Sequence, residues 1–347
     1  MSSNRFVFVA LISLLLMGIP LENAEKSTFS ESEIVSSVGE DLEDYELYLD
    51  SIDNGNVITT LQPGDNEESQ SILGNGIEFQ TGEMISDLNA KGKSNCQVKV
   101  VVYLNWRASQ DNNESTAEAT FKLYSGSGLV KQHTENLGDP QEVSFLGGSG
   151  SWQPYNVLLD VPCDGFIVQN GDRMKLDVEA TASCEGGGGG GVFGGGTCEV
   201  DMAYGGTVGN DYSRIELRAN ALAGSKVKVH YQGEGWSEVE VTDWSPTHRL
   251  EKRTMQFSVD VRDAFGRDDI EKIELFLSTP NEANSVFEKE FTDSDLKLDN
   301  DGLVGNFSYT YDSGITPGLY PLTMVVTDVQ GHTINYEHPL GMTFLEH

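Results

Sequence analysis

The chain has 347 residues, of which 55 are acidic and 22 are basic, so its formal net charge is −33. A surface with this charge repels the phosphates of nucleic acids and of anionic lipids, which excludes nucleic-acid binding as a function. The length fits two folded domains of ordinary size together with a tether, rather than a single core.

The chain begins with the pattern of an export signal. Arg5 precedes an unbroken apolar run over residues 6–19, and the small residue Ala24 follows. An apolar run of about 14 residues fits a secretory signal peptide, whereas a spanning helix needs about 20. We therefore expect residues 1–24 to be a signal peptide and the protein to be secreted or at the cell surface. Association with a membrane is expected only if Glu22, where a small residue is preferred, prevents cleavage.

The segment after the signal is acidic and poor in aromatic residues. This composition predicts a disordered tether over residues 25–56. One alternative within it is a short amphipathic helix from Asp41, since Leu42, Tyr45 and Leu49 fall on one helical face. Such a helix is marginal without a packing partner.

Residues 57–222 alternate strand-like runs with Gly, Asn, Asp and Pro, and no helical period persists. Irregular spacing of the runs favours a jelly-roll-like β-sandwich over a tight barrel. The clearest predicted strands are Gln97–Trp106, Ala117–Tyr124, Gln141–Phe145, Tyr155–Val161, Arg173–Ala182, Glu199–Tyr204 and Arg214–Arg218.

Four cysteines in an exported chain predict two disulfides. All four continue the apolar parity of neighbouring strands and are expected to face a core. Cys184 and Cys198 bracket a glycine-rich loop, so two antiparallel strands would bring them together, which leaves Cys96 with Cys163. The rival is a four-cysteine zinc site, but the sequence has no C-x-x-C pair to supply its usual spacing.

Residues 224–347 predict a second sandwich of six or seven short strands. The phrase V-x-D-x-x-G occurs at Val261–Gly266 and again at Val326–Gly331. In each phrase the aspartate follows a strand and can accept amide protons of a turn, and the glycine is free to take a positive φ. Both phrases are therefore predicted strand ends.

Two sequence stretches carry a resemblance to known proteins. The segments FSVDVRDAFGRDDIEKIELFL and GITPGLYPLTMVVTDVQGHTI resemble immunoglobulin-like and cadherin-like modules of bacterial and archaeal surface proteins. The segment YGGTVGNDYSRIEL, which ends the first domain, is similar to exported proteins of uncultivated marine archaea. The resemblance implies an immunoglobulin-like fold for residues 224–347, in modules that serve as spacers, adhesins or accessories of enzymes.

Calcium is the cofactor hypothesis, because turns rich in aspartate between sandwich strands supply the oxygen ligands it takes. The candidate ligands are Asp263, Asp268 and Asp269 on one loop, joined by Asp299 or Asp301 if the loops share an end of the sandwich. The stretch from Asp299 to Gly302 resembles half of a calcium loop, but Lys297 and Ser308 replace its first and last acids, so a plain hairpin turn is the favoured interpretation.

Exposed loop aromatics raise a carbohydrate-binding hypothesis. Trp152 and Trp236 lie in glycine-containing loops, with Tyr155 near the first of them, and flat aromatic faces stack on sugar rings. Packing within the core or between domains is the alternative for each. Asn113 and Asn306 match the acceptor pattern for N-glycosylation.

The sequence contains no H-E-x-x-H and no G-x-S-x-G motif, and the histidines are expected in exposed turns. We therefore expect an exported or cell-surface interaction or adhesion protein without catalytic activity. Its expected partner is an extracellular protein or a polysaccharide. The alternative is a carbohydrate-binding protein, either with or without a dependence on calcium.

Overall fold

The structure of the chain is a computed structural model, and all the residues it describes belong to one compact unit, Ser36–His347. The predicted signal peptide and residues 25–41 lie outside the described part. The structure describes residues 42–345 except 53–54, 109–114, 143–150, 185–196, 223–225, 232–238, 242–246, 250–253, 281–283, 300–301, 311–314 and 338–341.

The prediction of an all-β fold is confirmed. The described residues form 26 strands and one short 3₁₀ turn, Arg267–Asp269. Within these residues, no helix has the length and apolar character needed to cross a lipid bilayer. The first fourteen strands are β1 (Glu43–Ile52), β2 (Gly55–Thr59), β3 (Glu68–Ser71), β4 (Ile77–Gln80), β5 (Leu88–Lys91), β6 (Gln97–Ala108), β7 (Thr116–Ser125), β8 (Gly128–Asn136), β9 (Gln141–Glu142), β10 (Gln153–Asp160), β11 (Phe166–Val168), β12 (Met174–Ser183), β13 (Cys198–Tyr204) and β14 (Arg214–Asn220).

The remaining strands follow after Leu222. They are β15 (Lys226–Tyr231), β16 (Val239–Val241), β17 (Thr247–Arg249), β18 (Thr254–Val261), β19 (Ile270–Ser278), β20 (Ser285–Phe291), β21 (Leu296–Asp299), β22 (Gly302–Thr310), β23 (Gly318–Tyr320), β24 (Leu322–Asp328), β25 (Thr333–Glu337) and β26 (Met342–Leu345).

Strands β1–β14, here called the first sandwich, form one sheet around a single core. Their main order is β3-β13-β6-β14-β1-β2-β4-β12-β7-β8, and the parallel pairing of β2 with β4 links its two halves. Alternate residues point inward, as Val98, Val100 and Val102 of β6 do, and the inward side chains share one hydrophobic cluster. The jelly-roll assignment of this sandwich stays a prediction.

The predicted tether over 25–56 is wrong for Glu43–Ile52, and so is the helix considered there. These residues form β1, which pairs antiparallel with both β14 and β2 in the first sandwich. Tyr45, Leu47 and Leu49 alternate inward and are fully buried. Strands β14 and β2 pair with β1 on its two sides, and the inward side chains of β1 are buried in the first core. This burial outweighs the acidic composition of the segment.

The predicted disulfide pairing is confirmed. Cys96 bonds to Cys163, and Cys184 bonds to Cys198, with Cα–Cα distances of 4.7 and 6.0 Å. The expectation that all four face a core is wrong for Cys163, which is exposed, because the parity of β10 does not continue past its end. Cys184 and Cys198 pack against the first core, although β12 and β13 are not hydrogen-bonded neighbours.

Strands β15–β26, here called the second sandwich, bury a separate core. A sheet of order β16-β15-β18-β22-β21 and a sheet of order β20-β19-β24-β25 contribute inward side chains to it, and β17, β26 and β23 form a third sheet. Ala221 belongs to the first core and Leu222 to the second, next to the predicted domain boundary. The immunoglobulin-like assignment stays a prediction.

The two V-x-D-x-x-G phrases end strands as predicted. Asp263 Oδ1 accepts the Phe265 amide proton at 2.7 Å, and Asp328 Oδ1 accepts the Gln330 amide proton at 2.9 Å. The glycine that closes each phrase has a positive φ of 106° or 85°. Each aspartate therefore ends its strand by capping the turn that follows.

Candidate functional site

The turn that follows β18 carries two residues of the second sandwich into the first core. Ala264 is fully buried within that core, and the Phe265 ring packs against it. The Ala264 amide donates to the Ala221 carbonyl at 2.8 Å, and the Ala264 carbonyl accepts from the Ile85 amide at 3.1 Å. This insertion brings both strand-ending aspartates up to β1. We call the resulting contact between the sandwiches the junction, formed by Tyr45, Asp263, Asp269, Asp328, Gln330 and His332.

Asp328 is the hydrogen-bonding centre of the junction. Its Oδ2 accepts from the Tyr45 hydroxyl at 2.7 Å and lies 2.8 Å from His332 Nδ1. Its Oδ1 accepts the amide protons of Gln330 and His332, each at 2.9 Å. Burial alone would raise the pKa of Asp328, but the hydrogen bonds from His332 and Tyr45 outweigh burial and hold it below the usual value. Asp328 is therefore an ionised, fully bonded carboxylate.

Gln330 extends the hydrogen bonding of β1 into the second sandwich. Its side-chain carbonyl accepts the Glu46 amide proton at 3.1 Å. Its Nε2 donates to the Glu46 carbonyl and, at 3.0 Å, to the Thr60 carbonyl. A side-chain amide of the second sandwich thus bonds to backbone groups of Glu46 in β1 and of Thr60 just after β2.

The Tyr45 ring packs against two neighbouring rings beside Asp328. The Tyr45 ring centroid lies 4.4 Å from that of His332 and 5.7 Å from that of Phe265. Burial and the nearby carboxylates raise the pKa of the Tyr45 hydroxyl, so it stays protonated and donates. The hydrogen bond to Asp328 raises the pKa of His332 against the opposing effect of its burial.

Asp263 and Asp269 form an acidic pair beside this centre, and both are buried, with 1% and 2% of their surface exposed. As carboxylates, Asp263 Oδ2 and both oxygens of Asp269 have no donor in good hydrogen-bond geometry among the described residues, although the Thr60 hydroxyl lies near Asp269. Burial raises the pKa of Asp263 well above its usual value, and the Asp269 charge adds to that. Burial raises the pKa of Asp269 to about 6, although the nearby Thr60 hydroxyl and the Asp263 carboxyl lower it.

The structure brings together only part of the predicted calcium set. Asp263 and Asp269 meet in the junction, whereas Asp268 is exposed on the 3₁₀ turn between them. Asp301 and the Asp299 side chain lie outside the described part. The strands on either side pair with Asp299 opposite Gly302, as the hairpin alternative predicts. Among the described residues, no three His, Cys, Asp or Glu side chains are arranged to hold a metal ion.

We expect millimolar calcium to leave the Tm of the full chain unchanged. Calcium takes about six to eight oxygen ligands, whereas the acidic pair offers three free carboxylate oxygens because hydrogen bonds occupy Asp328. Thermal unfolding with calcium, and with magnesium as the control ion, measures this. A rise in Tm with calcium that Asp269→Asn abolishes would contradict the expectation and establish the calcium hypothesis.

The aromatic candidates do not form one platform. Trp152 is half-buried against Tyr103 and its apolar neighbours on the outer face of β6. Tyr155 packs towards the first core on the opposite face and donates from its hydroxyl to the Leu137 carbonyl at 2.9 Å. Of the other candidates, Trp236 and Asn113 lie outside the described part, and Asn306 is exposed on β22.

Sequence reasoning missed Tyr45, Asp328 and Gln330 as site residues. It also expected His332 in an exposed turn, but this histidine is half-buried and paired with Asp328. The repeated V-x-D-x-x-G phrase was the available signal, since it marks Asp263 and Asp328 as equivalent positions. The phrase does not indicate that β1 lies against both.

No family model matches the chain, and no curated protein matches it. One solved structure that resembles part of it is the crystal structure of an aminopeptidase from the marine sediment archaeon Thaumarchaeota archaeon. That match has a TM-score of 0.35 and 9% sequence identity, and it covers 52% of this chain and 37% of the aminopeptidase chain. The chain thus matches well under half of that protein's length, at a similarity too low to support an argument about fold or activity.

Proposed function

We propose that this chain is an exported or cell-surface interaction protein without catalytic activity, in which two joined sandwiches present binding surfaces to an extracellular partner. The observation that supports the proposal is the junction itself. Bonds from Asp328 and Gln330 to β1, with Ala264 inserted in the first core, hold the two sandwiches together. A pair of domains held in this way loses little orientational freedom on binding, which favours affinity.

Two further features fit an exported protein. All four cysteines are paired, as is usual where the surroundings are oxidising. The net charge of −33 keeps such a chain soluble and favours partners that carry positive charge or bound cations.

The test is saturable binding of the full exported chain to the surface of the cells that produce it. Labelled protein is titrated onto intact cells with and without excess unlabelled protein, and alkylation before reduction reports the state of the cysteines. We expect competition by unlabelled protein and four oxidised cysteines. Recovery of the chain in the cytoplasm with free thiols, or the lack of saturable binding, would contradict the proposal.

A carbohydrate-binding function is the second candidate, and Trp152 is the residue that favours it. The indole is half-exposed on the outer face of β6, beside the Tyr103 ring whose hydroxyl donates to Asp211 at 3.1 Å. An aromatic face next to a hydrogen-bonded polar group is an arrangement that suits a sugar ring.

If the chain binds a polysaccharide through this face, Trp152→Ala is expected to weaken binding about 5- to 30-fold, because an aromatic contact contributes on the order of 1–2 kcal/mol. A glycan array followed by titration calorimetry measures the loss. Tyr155→Phe is the matched control, since Tyr155 lies on the other face and should leave binding unchanged. Equal binding by Trp152→Ala and the unaltered chain would exclude this face as the site.

A further inference from the structure

The acidic pair poses a problem of charge that the described side chains leave unsolved. The Asp263 and Asp269 carboxyl groups lie close enough to interact directly, and both are almost completely buried. If both were ionised, three of their four oxygens would lack a donor in good hydrogen-bond geometry among the described residues, although the Thr60 hydroxyl lies near Asp269. Two adjacent carboxylates that are shielded from water and unpaired strongly destabilise a folded state.

One proton removes most of that cost. Asp263 Oδ1 already accepts the Phe265 amide proton, so Oδ2 is the free oxygen that can carry a hydrogen and donate it to Asp269. With this proton in place, one oxygen of each residue accepts a hydrogen bond. The negative charge of the pair is half of what it would be if both residues were ionised. We propose that Asp263 and Asp269 share a single proton in the folded chain near neutral pH, and that loss of this proton loosens the junction.

The groups around the pair act on this proton in opposite directions. Asp328 carries a negative charge beside the pair and favours keeping the proton. His332 lowers the pKa of Asp269 when it is protonated, and its own pKa is raised by Asp328 and by Glu43. Tyr45 is neutral and donates to Asp328. As pH rises, His332 loses its positive charge and the Asp263–Asp269 pair gains a negative charge. Both changes weaken the junction.

The direction of the pH effect follows from these shifts. An aspartate whose pKa is raised on folding stabilises the fold below its unfolded value, about 3.9, and that stability is lost as pH rises through the folded value. For Asp269 the loss runs from about pH 4 to about 6. For Asp263 the effect has the same sign, since burial also raises its pKa well above the usual value. The junction is therefore most stable in mild acid.

Asp263 and Asp269 lie at opposite ends of the turn that joins the sandwiches. Asp263 begins the turn, which buries Ala264 in the first core, and the Asp269 carbonyl accepts the Val329 amide proton at 2.8 Å. Repulsion between two ionised carboxylates would push apart the segments that hold Ala264 and Phe265 against the first sandwich. Loss of the proton thus acts on the junction rather than on either core.

Asp263→Asn tests this proposal with the full chain. The asparagine keeps Oδ1 to accept the Phe265 amide proton and donates from Nδ2 to Asp269, so it mimics the protonated residue at every pH. Above pH 6 the Tm of the unaltered chain should fall by about 3 °C per pH unit while the shared proton is being lost, and Asp263→Asn should lose more than half of that slope. Infrared spectra at pH 7 should show a protonated carboxylic C=O band that Asp263→Asn removes.

Asp268→Asn is the matched control, because it makes the same substitution at an exposed residue of the same turn. It should keep both the slope and the infrared band. If Asp263→Asn fails to fold, Asp269→Asn replaces it, since its amide can donate to Asp263 in the same way. An unchanged slope in both variants, the absence of the band in the unaltered chain, or an equal loss of slope in Asp268→Asn would overturn the proposal.

Discussion

Replacing Asp328 by alanine is expected to lower the free energy of unfolding by about 3–5 kcal/mol, because it removes one partner of a buried charged network. Four donors lose their acceptor at once, namely the Tyr45 hydroxyl, the His332 ring and the amides of Gln330 and His332. The Tyr45 hydroxyl then stays buried, and the side chain of residue 328 no longer accepts its hydrogen bond. Denaturant unfolding of the full chain near pH 6 measures the loss.

Two comparison variants separate the network from the loss of a side chain. Asp328→Asn keeps an oxygen for the two amides but not the charge that pairs with His332, so we expect it to cost about half as much as alanine. Asp293→Ala removes an exposed carboxylate of the same sandwich and should cost less than about 0.5 kcal/mol. A loss below about 1 kcal/mol for Asp328→Ala would mean that the junction contributes little to folding.

Removing the disulfide between Cys96 and Cys163 is the second change with a large expected effect. The bond joins residues 67 apart in the sequence, and the entropy of closing such a loop corresponds to about 4 kcal/mol. Cys163 is exposed, so Cys96→Ser with Cys163→Ser removes the cross-link without opening a large cavity. The free energy of unfolding of this double variant, compared with that of the unaltered chain, gives the value.

The second disulfide provides the comparison. Cys184 and Cys198 are 14 residues apart, for which the same relation gives about 3 kcal/mol. Reductant should destabilise the unaltered chain more than either double-serine variant, since each variant retains one disulfide. A cost below about 1 kcal/mol for loss of Cys96–Cys163 would show that the unfolded chain is already held compact near these residues.

Several strands could be predicted from the sequence because their side chains alternate clearly. The predicted runs Gln97–Trp106 and Arg173–Ala182 have apolar residues at every second position. Their ends lie within two residues of those of the observed strands, Gln97–Ala108 and Met174–Ser183. The capping role of Asp263 and Asp328 was also predictable, since it depends on a few adjacent residues. Local patterns of this kind need no knowledge of the partner strand.

Strand β1 could not be predicted in the same way. Tyr45, Leu47 and Leu49 alternate, but Leu42, Tyr45 and Leu49 also fit a helical face, and the residues between them are mostly acidic. The choice is made by β14 and β2, which supply hydrogen bonds on both sides. Propensity is overridden here by pairing with segments far along the chain.

The junction joins residues that are still farther apart in the sequence. Tyr45 and Asp328 are 283 residues apart, and no spacing in the sequence relates them. The sequence indicated that Asp263 and Asp269 are close, but as calcium ligands with Asp268. Their burial and the engagement of Asp328 by four hydrogen bonds became evident only once the two sandwiches were placed against each other.

Scanning calorimetry of the full chain at pH 6 tests most directly whether the junction joins the two sandwiches into one cooperative unit. We predict one transition whose calorimetric and van't Hoff enthalpies agree, and two separate transitions for Asp328→Ala. Two independent transitions in the unaltered chain, at the same temperatures as in Asp328→Ala, would contradict this account.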